Sequence, residues 1–167
     1  MVFGNKDKSG NFACNFMYVQ GITSFDNVGI NGIRVAQEDT DGRLSFTLRI
    51  PKADPIFLCY KQIASVGVAS EKEVIEKSKN VVGRAAVGGL AFGPLGAIIG
   101  GASGIGNKQK FKSRSFFVIN YHPANDSEEI KVLSFEIVGA STHWEKFINA
   151  LKTKIPQQPE QPVSQYL

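Results

Sequence analysis

The sequence predicts an α+β fold that is mainly β: a small barrel or sandwich of short antiparallel strands, capped by a C-terminal amphipathic helix and interrupted by a glycine-rich helical hairpin. Three observations predict it. Apolar and polar residues alternate in several short segments, as half-buried strands require. The period changes to helical spacing only near the C-terminus. The 17 glycines are unevenly spread and crowd into one stretch, residues 83–106. With 167 residues, 43% hydrophobic and 20% charged, the chain has material for one packed core, and wholesale disorder is excluded.

Residues 1–11 read as a flexible, polar start without an apolar signal core, so a cytoplasmic location is expected. Residues 12–19 (FACNFMYV) read as the first strand, and 21–32 as a turn-rich connection. A short strand at 33–37 is followed by Asp41-Gly42, a strong hairpin signal. Residues 43–50 (RLSFTLRI) place Leu44, Phe46, Leu48 and Ile50 on one face, opposite Arg43, Ser45, Thr47 and Arg49. Pro51 and Pro55 bracket a loop, and 56–60 and 63–68 are further strands. Beyond the glycine-rich stretch, 115–121 (SFFVINY) and 130–138 (IKVLSFEIV) form a hairpin around a loop holding Pro123, Asn125 and Asp126.

Trp144, Phe147, Ile148, Leu151 and Ile155 then recur at helical spacing, and Thr142-x-x-Glu145 has the pattern of a capping box. Pro156 stops the helix, and the Pro- and Gln-rich residues 156–167 read as a disordered tail. A run of six or seven strands closed by a Trp-bearing terminal helix (THWEKFINALKTKI) resembles the pleckstrin-homology (PH)-like superfold. The resemblance implies one domain over 12–155, interrupted by 81–106.

The interruption is the unusual part. From Ala85 to Asn107 no residue is charged, a length of 23 positions. Ala85, Gly89 and Gly93, then Gly96, Gly100 and Gly104, recur at every fourth position. That spacing gives a smooth helix face on which another backbone can pack closely, a glycine zipper. Pro94 divides the two runs, so two short helices are expected, at about 82–92 and 95–105, each ~16 Å long. A hairpin of that size reaches about halfway through a hydrocarbon core of ~30 Å. Phe92, Leu95, Ile98 and Ile99 are expected on its lipid or partner face. Because glycine is up to ~1 kcal/mol worse than alanine in a helix interior, the hairpin needs close packing in lipid, on another copy, or on its own domain.

Gly83-Arg84-Ala85, Gly88-Gly89, the run Phe92-Gly93-Pro94-Leu95-Gly96-Ala97 and Gly100-Gly101 are similar to the insertion in a group of small bacterial and prophage-encoded proteins. These carry a PH-like domain interrupted by a glycine zipper. The resemblance implies an architecture more than an activity.

Charge points to the same region. Net charge is +4, yet residues 71–114 alone carry +5: Lys72, Lys77, Lys79, Arg84, Lys108, Lys110, Lys112 and Arg114 against Glu71, Glu73 and Glu76. Basic flanks beside an apolar run suit an anionic membrane surface, and a peripheral place at its inner face is expected if the hairpin engages lipid. The other expected partner is a second copy of the chain, with a soluble, prophage-type protein that binds a host protein as the alternative role. Residues 9–33 hold no Lys or Arg, which disfavours specific phosphoinositide binding. Phe111 among Lys108, Lys110, Lys112 and Arg114 is a short patch for nucleic acid and lacks a recognised motif.

No enzyme, cofactor or metal signature is found. Around Gly101-Ala102-Ser103-Gly104-Ile105-Gly106, Asn107 precedes Lys108 and Gln109 follows it, so the phosphate-loop pattern fails. His122 and His143 have no ligand partners at metal spacing, and structural or solvated roles are expected. Cys14 and Cys59 lie in apolar strand contexts and are expected to be buried thiols.

Overall fold

The computed structural model describes residues 11–28, 31–79, 90–93, 95, 98, 114–126, 128–140 and 142–156. Among these residues, seven strands form one antiparallel sheet in the order β4-β3-β2-β1-β7-β6-β5. They are β1 (Phe12–Gln20), β2 (Gly32–Glu38), β3 (Arg43–Leu48), β4 (Ile56–Cys59), β5 (Ile63–Ser70), β6 (Ser115–Tyr121) and β7 (Lys131–Ile137). Helix α1 (Glu71–Lys79) follows β5 and α2 (His143–Lys152) follows β7. All seven expected strands are present, with ends moved by one or two residues. The expected third strand stops at Leu48. Arg49 N–H still bonds Gly32 O at 3.0 Å, but Ile50 leaves the sheet and is exposed, so it does not belong to the buried face.

Strand β1 turns the corner of the sheet. Its first part, Phe12 to Met17, pairs with β2, and from Met17 to Gln20 it pairs with β7, with an irregularity between Tyr18 and Gln20. One long strand thereby serves two halves. The side chains between the halves form the main core: Phe16, Phe46, Phe117, Phe135 and Phe147 are its largest members. Phe46 stacks on Phe135 with centroids 5.8 Å apart, and α2 inserts Phe147 edge-on against Phe16 at 5.9 Å. The abundance of phenylalanine is thus spent on a ring cluster, where each contact adds about 0.5–1.5 kcal/mol beyond area burial.

Polar side chains fix the ends of these elements. The Gln37 amide donates to Phe147 O at 2.7 Å, and Lys154 Nζ donates to Gln37 Oε1 at 2.6 Å and to Asp39 at 2.7 Å. Tyr60 donates to the same Asp39 at 2.8 Å. The Tyr18 hydroxyl accepts Ile22 N–H at 2.7 Å and donates to Asp26, pinning the turn after β1. The expected capping box of α2 is not formed. Thr142 makes no side-chain cap bond, and Glu145 N–H bonds the Thr142 carbonyl instead, at 3.0 Å.

Candidate functional site

Strands β5 and β6 pair along their whole length, from Ile63↔Tyr121 to Ser70↔Ser115. Glu71 N–H then bonds Arg114 O at 2.9 Å. Residues 71–114 are therefore a single long excursion whose two ends leave the sheet side by side. It begins with a helix that the sequence reading did not include. In α1, Ser70 and Glu73 form a reciprocal capping box: Ser70 N–H donates to Glu73 Oε2 at 2.8 Å, and Glu73 N–H to Ser70 Oγ at 3.3 Å. The Ser70-x-x-Glu73 pattern is the signal that could have found it.

The excursion returns to the sheet at residues 90–93 and Leu95. In β6, Phe117 and Ile119 point into the main core, and Phe116 and Val118 point to the opposite, outer face. On that outer face Phe116, Val118 and Ala69 of the sheet, Val74 of α1, and Phe92 and Leu95 make a second cluster, with Val19, Ile75, Leu90 and Val132 at its border. Phe92 is 7% exposed and Leu95 is fully buried. Both faces of β6 are covered, as its unbroken apolar run FFVI allows.

Asn120 holds this segment. It is 1% exposed, and its amide pairs with the backbone of Ala91 on both sides: Ala91 N–H donates to Oδ1 at 2.6 Å, and Nδ2 donates to Ala91 O at 2.8 Å. Ser65 Oγ donates to the same Oδ1 at 3.0 Å. The side chain thus does what a neighbouring strand would do, satisfying one peptide unit of a half-buried segment. Two glycines make room. A Cβ on Gly67 of β5 would lie 3.1 Å from Leu90 Cδ2, and Gly93 has φ +50° with its Cβ position 3.1 Å from Val132 Cγ2.

The expected residues fare differently. Phe92 and Leu95, assigned to a lipid or partner face, lie in the domain's own second cluster, because the outer face of β5–β7 is apolar and needs covering. Ile98 is 45% exposed, and Leu95 and Ile98 have helical backbone. Leu90, Ala91 and Phe92 are not helical, so the first expected helix does not extend to 92. Gly93, assigned to the zipper face, faces Val132 of this same chain. Ala85, Gly89, Gly96, Gly100, Gly104, Ile99, Arg84, Lys108, Lys110 and Lys112 lie outside the described residues, as do most of the hairpin and the two chain ends.

Of the basic flank, Arg114 is engaged: its Nε and Nη2 donate to the two oxygens of Glu136 at 3.0 and 2.8 Å, and hydrogen bonding to that carboxylate raises its pKa. Its guanidinium also lies 5.2 Å from the Phe116 ring. Lys72 is exposed and lies 3.8 Å from Glu76 one turn on, and Lys77 and Lys79 lie within α1.

Elsewhere, Cys14 is buried and its thiol is pushed up to about 11, chiefly by burial. Cys59 is exposed, against expectation, because edge strand β4 turns it outward. The His122 ring lies 3.0 Å from Glu129 O, and His143 packs edge-on against Phe12 at 5.0 Å. Among the described residues no group of His, Cys, Asp or Glu could hold a metal, and no helix is long and apolar enough to cross a membrane.

Seven antiparallel strands closed by a terminal helix define the PH-like class, here with a long excursion between β5 and β6. The family model for a glycine zipper containing PH domain matches residues 27–142, and the chain belongs to that family. No curated protein and no solved structure matches the chain.

Proposed function

We propose that the chain is a non-enzymatic interaction module that self-associates through its glycine zipper, with the PH-like domain as the support that holds the zipper in place. PH-like domains are in general non-catalytic. The observation that carries the reading is the docking of residues 90–93 and Leu95 on the outer face of β5–β7. It puts Phe92 and Leu95 in the chain's own fold, and the reading takes Gly96, Gly100 and Gly104, which recur at every fourth position, as the small-residue face for another copy. Membrane association at an anionic surface is the second reading, favoured by the +5 charge of residues 71–114.

Mass by light scattering tests the first reading, on the full chain and on a variant with Gly96→Leu, Gly100→Leu and Gly104→Leu. The account predicts a multimer that becomes monomeric in the variant with an unchanged circular dichroism spectrum. A monomeric full chain, or a variant that assembles as before, contradicts it. Flotation with anionic liposomes that persists at high salt and survives the substitutions moves the function to lipid insertion.

A further inference from the structure

Strand β4 is one edge of the sheet, and between it, β6 and β7 lies a half-open cleft of about 180 Å³. Ile22, Tyr121 and Leu133 line it, and residues 56–58 of β4 form one wall. The register fixes which backbone groups of β4 are already used. Tyr60 N–H bonds Gly42 O at 2.9 Å, and the pairs that follow are Arg43↔Cys59, Leu44↔Leu58, Ser45↔Phe57 and Phe46↔Ile56. Antiparallel bonding alternates, so Leu58 and Ile56 face β3, and Phe57 and Cys59 turn their N–H and C=O groups away from it. Cys59 N–H bears this out: it donates to Gln62 Oε1 at 3.2 Å, and Gln62 Nε2 donates across to His122 O at 3.1 Å, closing one end of the seam. Phe57 N–H and C=O have no partner among the described residues. The Phe57 ring lies on the other face of the strand, with the Arg43 guanidinium 3.9 Å from its centre, so its backbone is what borders the cleft.

We propose that this seam is a second docking site, separate from the zipper, that takes an extended peptide of a partner protein. The peptide pairs with Phe57 and places one aromatic side chain in the cleft. Three points carry it. An apolar cavity of ~150 Å³ holds one benzene molecule, so this volume fits a single ring. The unused groups are one N–H and one C=O on the same residue of a strand edge, which a peptide unit satisfies and a hydrocarbon leaves unpaired. The two also agree in geometry: a residue paired with Phe57 turns its own side chain to the outer face, and its neighbours then point inward, beside Ile56 and Leu58. The strand itself, Ile56–Cys59, carries no proline or charge to guard this edge.

The test titrates the full chain with a capped pentapeptide, four threonines around a central phenylalanine, up to millimolar concentration, and follows amide and methyl chemical shifts. The proposal predicts saturable shifts at Phe57, Ile22 and Leu133, and binding at least tenfold weaker when the central residue is alanine. Methylating the amide nitrogens of both threonines that flank the phenylalanine should cost at least tenfold too, because it removes the N–H groups that face β4. On the protein side, Phe57→Pro deletes the outward N–H without breaking a bond to β3 and should weaken binding at least tenfold, whereas Phe57→Ala keeps that N–H and should stay within threefold. The measurements on the altered peptides stand whether or not the proline variant folds. Absence of saturable shifts at the cleft overturns the proposal, as does equal binding of the alanine peptide. Equal binding of the methylated peptide overturns strand pairing and makes the cleft a site for a small aromatic molecule.

Discussion

The two apolar clusters of this domain lie on opposite faces of the same strands and are of different kinds. The inner cluster draws on all seven strands and α2 and is dominated by aromatic rings from distant parts of the chain, such as Phe16, Phe46, Phe117, Phe135 and Phe147. The outer cluster is small and draws on β5, β6, α1 and the returning segment. The inner one specifies the fold. The outer one attaches the excursion to it, and the pairing of the seven strands does not run through the returning segment. Strand β6 serves both by simple alternation, and β5 gives Ile63 to the inner cluster and Ala69 to the outer, which couples the excursion to the fold.

The sharpest way to break the contrast is Phe135→Ala. Phe135 is fully buried among four rings, so its loss should cost about 3–5 kcal/mol and lower the melting temperature on the order of 10 °C. Leu95→Ala removes an equally buried side chain, for which about 2–5 kcal/mol is usual in a core. Here the loss is capped by the free energy of docking, and the main thermal transition should move much less than with Phe135→Ala. Equal shifts would mean that the two clusters are one cooperative unit.

Asn120→Ala comes next. It strands the Ala91 peptide and should weaken docking by about 1–3 kcal/mol, read as faster proteolysis within residues 80–113 at unchanged far-ultraviolet circular dichroism. Arg114→Gln, at the base of the excursion, removes a partly exposed ion pair and should cost less than about 1 kcal/mol in a denaturant titration.

The last prediction concerns the thiols and alkaline pH. Cys14 has a folded-state pKa raised from 9.0 to about 11, so it stabilises the fold fully below pH 9 and loses that contribution as pH rises through about 11. Buried Tyr18 and Tyr60 are raised as well and act in the same direction. Stability should therefore fall on the alkaline side of pH 9, and Cys14→Ala should flatten part of that fall. At neutral pH a thiol reagent should modify Cys59 quickly and Cys14 only on unfolding.

Much of the fold was legible in the sequence because its strands carry their own signals. The alternation of Leu44, Phe46 and Leu48 and the Asp41-Gly42 turn are local features, and local features decide half-buried antiparallel strands. The helical spacing of Phe147, Ile148 and Leu151 located α2 for the same reason. The capping box at Thr142 failed because a backbone bond to Glu145 took its place. The outer cluster was hidden for a physical reason: it joins residues far apart in sequence, Asn120 with Ala91 and Gly93 with Val132. A phenylalanine and a leucine in a glycine-rich run look alike whether they meet lipid, another copy, or their own sheet. What could have been read was the FFVI run in β6, too apolar for a strand with one solvated face, and Ser70-x-x-Glu73, which marks the start of α1.

The most direct measurement is hydrogen exchange at the Ala91 amide, in the unaltered chain and in Asn120→Ala. A docked segment predicts that this amide exchanges far more slowly than a free peptide, and that the substitution removes its protection while amides paired within β6 and β7 keep theirs. An Ala91 amide that exchanges at the free-peptide rate in the unaltered chain would contradict the claim that the domain holds its glycine-rich excursion.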